Sequence, residues 1–291
     1  MKIRKLFFTV AAMGLIFASC EKSADQLSPD DINLADDDAV ADVIFDDIFV
    51  TADNALSLLD GFEKSYDGSK SGEVTIVADS CPMVSVTFIE GTGKIITVDY
   101  GEGCTGFYGQ TRSGKIIITV DGRRRIEGSS HTVTFDNYFF NGIGVEGTRV
   151  STNEGVNDNQ NVVFSFSLTG GRLLFPDGKT AEREFYRERE WVAGYDTFNP
   201  WDDEVFVTGT ASGISISGEI FESSIVTPLH RKRICPFPVS GIIEFTRGQQ
   251  EPFTLDYGSG ECDEYATVQR GDESREIILK KRHRLLRLKA E

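Results

Sequence analysis

From Glu73 to the C-terminus, short β-branched and aromatic runs alternate with Gly, Asn and Asp turns, and no helix-length periodic segment separates them. Parallel strands need crossovers of about a dozen residues or more, so the pattern restricts this stretch to antiparallel hairpins. Candidate strands are Val74–Val77, Val84–Phe88, Lys94–Val98, Lys115–Val120, Thr132–Tyr138, Val162–Leu168, Glu204–Thr210, Ile220–Val226, Gly241–Phe245 and Glu276–Leu279. Asn141-Gly142, between an aromatic run and Val145, marks a tight hairpin. The expected fold is mainly β: an antiparallel meander, a sandwich or a partly open barrel. Twenty-nine glycines and twenty-one phenylalanines in 291 residues fit a turn-rich β protein of that kind.

Glu182–Trp191 is charged on both faces. Arg183, Phe185, Arg187, Arg189 and Trp191 alternate with Glu184, Tyr186, Glu188 and Glu190. Such a strand fits an exposed edge or an extended single layer better than the middle of a sandwich. A large single-layer component is therefore expected, with an N-terminal helix covering part of one face.

A long-range self-match relates the two ends of the β region. Cys81-Pro82 matches Cys235-Pro236, Asp99-Tyr100-Gly101 matches Asp256-Tyr257-Gly258, and Cys104 matches Cys262. An Ile-rich run (Lys115–Val120 and Glu276–Leu279) is taken to close each cassette, so the pseudo-repeat covers residues 75–120 and 224–279. Two copies are too few for a solenoid and point to one similar hairpin cassette near each end. Of three pairings open to these four cysteines, the repeat favours Cys81–Cys104 and Cys235–Cys262. A four-cysteine metal site would need knuckles about two to four residues apart, and there are none. No metal and no cofactor are expected. The repeated Asp-Tyr-Gly reads as a turn at a strand end with Tyr packing near the bridge, in preference to a calcium or sugar contact.

The N-terminus is organised differently. Lys2, Arg4 and Lys5 precede an apolar run from Leu6 to Phe17, and Ile16-Phe17-Ala18-Ser19-Cys20 closes it with small residues before a cysteine. The apolar run is shorter than the roughly 20 residues of a membrane span, so residues 1–19 read as a signal peptide. The pattern resembles a lipoprotein signal, which makes Cys20 the lipidated residue and the membrane a partner through that anchor. Residues 20–35 read as an acidic tether. Residues 36–66 read as an amphipathic helix, with Ile44, Ile48, Ala52, Ala55, Leu59 and Phe62 recurring every three or four positions. Asp36, Asp37 and Asp38 are placed at its solvated start, complementing the helix dipole. The β domain then runs over residues 72–291.

Acidic residues outnumber basic ones 46 to 30, a formal net charge of −16, which excludes a general nucleic-acid binder because a duplex demands a positive surface. The three histidines, His131, His230 and His283, are far apart in sequence, and no nucleophile elbow, zinc-protease motif, P-loop or dinucleotide fingerprint occurs. No catalytic residue is therefore assigned. The best binding candidate is Trp191–Asp203, where Trp191, Tyr195, Phe198 and Trp201 combine with Asp196 and Asp202 in a pattern suited to stacking on sugar rings and accepting from their hydroxyls. The opposing reading makes it a hairpin loop pinned by its aromatics. Basic clusters at Arg123–Arg125, Arg231–Arg233 and Lys280–Arg284 are expected either to meet anionic headgroups or to pair with the acidic N-terminal helix.

The segment Gly114–Thr148, together with Gly209–Gly213 and the two Cys…Asp-Tyr-Gly…Cys cassettes, resembles a family of β-rich outer-membrane lipoproteins of Bacteroidetes-type bacteria. The resemblance implies an outer-membrane lipoprotein, on the surface or periplasmic face, and lends no catalytic residues because the family has no assigned activity. The expected function is thus non-enzymatic binding of a glycan or host-surface ligand, or an envelope-structural role. An apolar-ligand carrier with its cavity under the helix is the alternative, and a carboxylate hydrolase the third reading.

Overall fold

The structure, a computed structural model, describes residues 26–63, 72–77, 81–89, 93–106, 109–197 and 199–279. The leader, Cys20, Phe198 and the basic run from Lys280 lie outside the described residues. One helix, α1 (Pro29–Glu63), precedes fifteen strands. They are β1 (Gly72–Val77), β2 (Met83–Ile89), β3 (Gly93–Asp99), β4 (Cys104–Thr105), β5 (Thr111–Asp121), β6 (Ser130–Phe140), β7 (Ile143–Val156) and β8 (Val162–Leu174). Then follow β9 (Thr180–Ala193), β10 (Glu204–Ile214), β11 (Ile220–Lys232), β12 (Ser240–Thr246), β13 (Phe253–Ser259), β14 (Tyr265–Arg270) and β15 (Glu273–Ile278).

Of the expected arrangements the meander is the one formed. All fifteen strands join one antiparallel sheet in chain order, with the short β4 attached to β5, and the sheet does not close. Asn141 (φ 50°) and Gly142 (φ 80°) make the tight β6–β7 turn that Asn-Gly favours. β9 lies in the middle of the sheet between β8 and β10, so its charged faces belong to an extended layer and not to an edge.

The sheet curls around α1. Ile44, Ile48, Ala52 and Leu59 pack on Val84, Val86, Ile96, Ile116 and Ile118 of the first strands. Leu34, Ala35 and Phe49 pack on Phe166, Val207, Phe245 and Val268 of the later ones. Every residue from Leu34 to Asp42 is consequently buried, and this stretch has no solvent face.

That burial corrects the reading of the N-terminal acids. The helix begins at Pro29, inside the stretch expected to be a tether. Ser28 caps it: Ser28 Oγ accepts from Asp31 N (3.3 Å) while Asp31 Oδ2 accepts from Ser28 N (2.7 Å), with Pro29 at the first helical position. Asp36, Asp37 and Asp38 sit two turns further on and are buried, where the pattern alone placed them at a solvated start. The compensation comes from the inner face of the sheet. Arg183 pairs with Asp38 and Asp42, Arg187 with Asp42, Arg189 and Arg231 with Asp46, Arg112 with Asp47, Arg124 with Asp53, and Arg247 and Arg270 with Asp31. Two of the three basic clusters therefore turn at least one arginine inward.

The cassettes form as expected, each closed by its own disulfide, Cys81–Cys104 and Cys235–Cys262. Asp99 Oδ1 accepts from Gly101 N and Asp256 Oδ1 from Gly258 N, both at 2.8 Å, while Tyr100 and Tyr257 are buried. The repeated motif is thus a turn whose tyrosine enters the core. One detail differs: β3 pairs with β5 and β13 pairs with β14, so the partner of the Lys115–Val120 strand is Tyr265–Arg270. Glu276–Leu279 begins on β15, one strand beyond.

Candidate functional site on the outer face of the sheet

The aromatic segment Trp191–Asp203 divides between inside and outside. Trp191 is 5% exposed and lies against Phe49 (6.0 Å between ring centroids), Phe164 (5.5 Å) and Tyr195 (5.9 Å). It points inward because it continues the alternation of Arg183, Phe185, Arg187 and Arg189. Trp201 is 51% exposed on the short 3₁₀ turn Pro200–Asp202, capped by Asn199 Oδ1 accepting from Trp201 N. Tyr195 is half-buried with Arg125 over its ring at 5.2 Å, Asp196 is exposed 3.6 Å from Arg125, and Asp202 accepts from Thr197 Oγ1 (2.9 Å). Trp191 thus belongs to the core, while Asp196 and Trp201 lie on the surface.

The opposite face of the same strand does build a concave surface. Outward-pointing Glu184, Tyr186, Glu188 and Glu190 of β9 extend into cross-strand rows. One row runs Ser167–Tyr186–Thr210–Ser224–Glu244, the next Glu184–Ser212–Glu222–Thr246, and a third Ser165–Glu188–Thr208. Two open hollows of about 640 and 680 Å³ lie side by side along β9 and β10. Glu184, Glu222, Glu244, Glu154, Glu188 and Glu190 line them with Ser and Thr hydroxyls, Phe185, Tyr186 and Phe206, and among the described residues the lining holds no Lys, Arg or His.

Local bonds hold several of these groups in place. Ser165 Oγ donates to Glu154, Tyr186 Oη to Glu188 Oε1 (3.5 Å), and Asn161 Nδ2 to Glu190 Oε1 (2.8 Å). The asparagine bonds lower the Glu190 carboxyl below its ordinary range. Desolvation and the Glu188 and Glu154 carboxylates raise the Tyr186 phenol, which is 53% exposed, so it stays a neutral hydroxyl at neutral pH. A neutral phenol beside fixed carboxylates can donate, accept and stack.

The two-sided charge of β9 was legible as a strand with a glutamate face. The rows across β8 to β12 were not, because register between distant segments has no local signal. Between α1 and the inner face, a gap near Ala41, Leu173 and Phe221 amounts to about 20 Å³, room for about one water. Among the described residues no group of three or more His, Cys, Asp or Glu side chains gathers to hold a metal ion, and no helix is long and apolar enough to cross a membrane. No protein-family model, curated protein or solved structure matches the chain.

Proposed function

We propose that this chain is a lipid-anchored, non-enzymatic binding protein of the outer membrane. Its ligand is a hydroxyl-rich glycan seated on the outer face along β9 and β10, with sugars bearing free amino groups preferred. The lining of the two hollows supports this reading: six carboxylates, a row of hydroxyls and three aromatic residues, with no cation among the described residues that form it. Carboxylates accept from sugar hydroxyls and more strongly from ammonium groups, while the exposed Tyr186 offers a ring face. The shape supports binding along an extended chain, since the rows repeat across successive strands.

The anchor reading rests on the basic, apolar and small-residue order that ends at Cys20. Five residues lie between Cys20 and Gln26, a reach of at most about 20 Å. Gln26 O accepts from Arg270 Nη1 and Leu27 N donates to Glu273 Oε2, so these two residues are held at the β14–β15 edge. That edge then faces the bilayer, and β9 lies several strands away from it.

Titration of the full chain with glucosamine oligomers, cellulose oligomers and a polyanionic glycan tests the assignment. Binding is expected to follow that order. Glu184→Gln combined with Glu222→Gln should weaken the glucosamine oligomer about tenfold or more, the loss of one to two charge-assisted hydrogen bonds. Undiminished affinity in that variant, or equal affinity for the polyanion, rejects the site. Loss of metabolic acyl labelling in Cys20→Ala tests the anchor separately.

A further inference from the structure

Five of the α1 acids that meet arginines, Asp31, Asp38, Asp42, Asp46 and Asp53, form a stripe spaced by fours and sevens along one side of the helix, with Asp47 beside it on Arg112. Between Asp46 and Asp53 that side of the helix carries Phe49, so the carboxylates are interrupted there. The sheet does not follow the interruption. Arg149 of β7 faces it, 3% exposed, with its guanidinium 4.8 Å from the Phe49 ring centroid and 4.6 Å from that of Phe166. Among the described residues every other buried arginine has a carboxylate partner, and Arg149 has none. Nearby Asp46 is shared by Arg189 and Arg231, and Asp53 is taken by Arg124.

A second observation lies on the same face. Arg149 Nη1 and Ser151 Oγ are both buried and both lack a hydrogen-bond partner. Ser151 is two residues along β7, on the same side, and its cross-strand neighbour is His131, also buried. Around one uncompensated cation stand a hydroxyl and an imidazole, each with a hydrogen to donate, and no carboxylate. Aromatic faces cover the flat sides of the guanidinium and leave its edge available for a hydrogen bond. Burying a charged group without an opposing charge is costly, and burying donors without acceptors adds to it.

We propose that Arg149, Ser151 and His131 hold a small monovalent anion of the halide class between β6, β7 and the Phe49–Asp53 turn of α1. One negative charge balances the one unpaired guanidinium. A spherical ion accepts from donors in any direction, and a phosphate-sized dianion would overcompensate in an enclosed position. Burial pushes the Arg149 guanidinium down to about 9, so it is still cationic at neutral pH. The inference is independent of the outer-face reading, because these residues lie on the other side of the sheet.

The test is the melting temperature of the full chain in sodium chloride or bromide against sodium gluconate at equal ionic strength. The halides are expected to raise it by about 2–4 °C with saturation, the effect of a ligand at about five times its Kd. Ser151→Ala should reduce the increment and Arg149→Met should abolish it. Crystals of the unaltered chain grown in bromide should show an anomalous peak within hydrogen-bond distance of Arg149 Nη1, which decides the matter if the Arg149 variant does not fold. Equal melting in all three salts, a halide increment retained in Arg149→Met, or density there without anomalous signal overturns the proposal and leaves water as the partner.

Discussion

The buried aspartates of α1 show how strongly a single site depends on its partners. Burial by itself would raise the Asp42 carboxyl, but Arg187, Arg183 and Arg231 outweigh it and hold it at about 2. A depressed folded value against an ordinary one of 3.8 means stability that is present above about pH 4 and lost as pH falls toward 2. Urea unfolding midpoints are therefore expected to fall across that window, and to fall less in Asp42→Asn than in the unaltered chain; parallel acid limbs would contradict this. Asp38 beside it is raised by burial, in spite of Arg183, and contributes the opposite slope. Trp191 gives a second residue-scale expectation. Its indole fills the junction of Phe49, Phe164 and Tyr195, so Trp191→Ala should cost about 3–5 kcal/mol in chemical denaturation while leaving outer-face binding intact in the folded fraction.

At the scale of elements, the curvature that brings both ends of the sheet onto one helix depends on close approaches between strands. Gly209 of β10 has φ +126°, and a Cβ built there would stand 2.2 Å from the Tyr186 carbonyl oxygen of β9. Gly209→Ala therefore meets both a disfavoured backbone conformation and a backbone clash, and should destabilise by at least about 1–3 kcal/mol. Because the clash falls beneath Tyr186, the same variant should also weaken ligand binding. A melting curve and a titration on one preparation check both, and an unaltered melting temperature refutes the argument. Strands were the most legible elements in the sequence, since alternation and turn chemistry are local. Helix limits were less so. Pro29 reads as a breaker in a polar stretch, yet after Ser28 it is the first helical residue, a distinction made by Asp31 three residues beyond the cap.

For the whole molecule, α1 is the core around which the sheet is built. Without it, the inner face would expose Arg183, Arg187, Arg247 and Arg270 beside large apolar residues, with their carboxylates gone. A chain beginning at Gly72 is expected to lose near-UV circular dichroism and cooperative unfolding, and a peptide of residues 26–63 added in trans should restore them in proportion to its concentration. Cooperative folding of the truncated chain by itself would contradict the role given to the helix. The antiparallel strand class, the Asn-Gly hairpin and the two-faced character of β9 were legible in the chain, and the repeat favoured both disulfide pairings. Each follows from short-range periodicity, turn stereochemistry or an internal repeat. That the acidic helix is interior, that Trp191 is core and that the glutamates of β9 join rows with β8, β10, β11 and β12 emerges from the folded arrangement. Whether a charge is solvated or buried depends on what lies opposite it, and here the opposing residues are as much as 239 positions away.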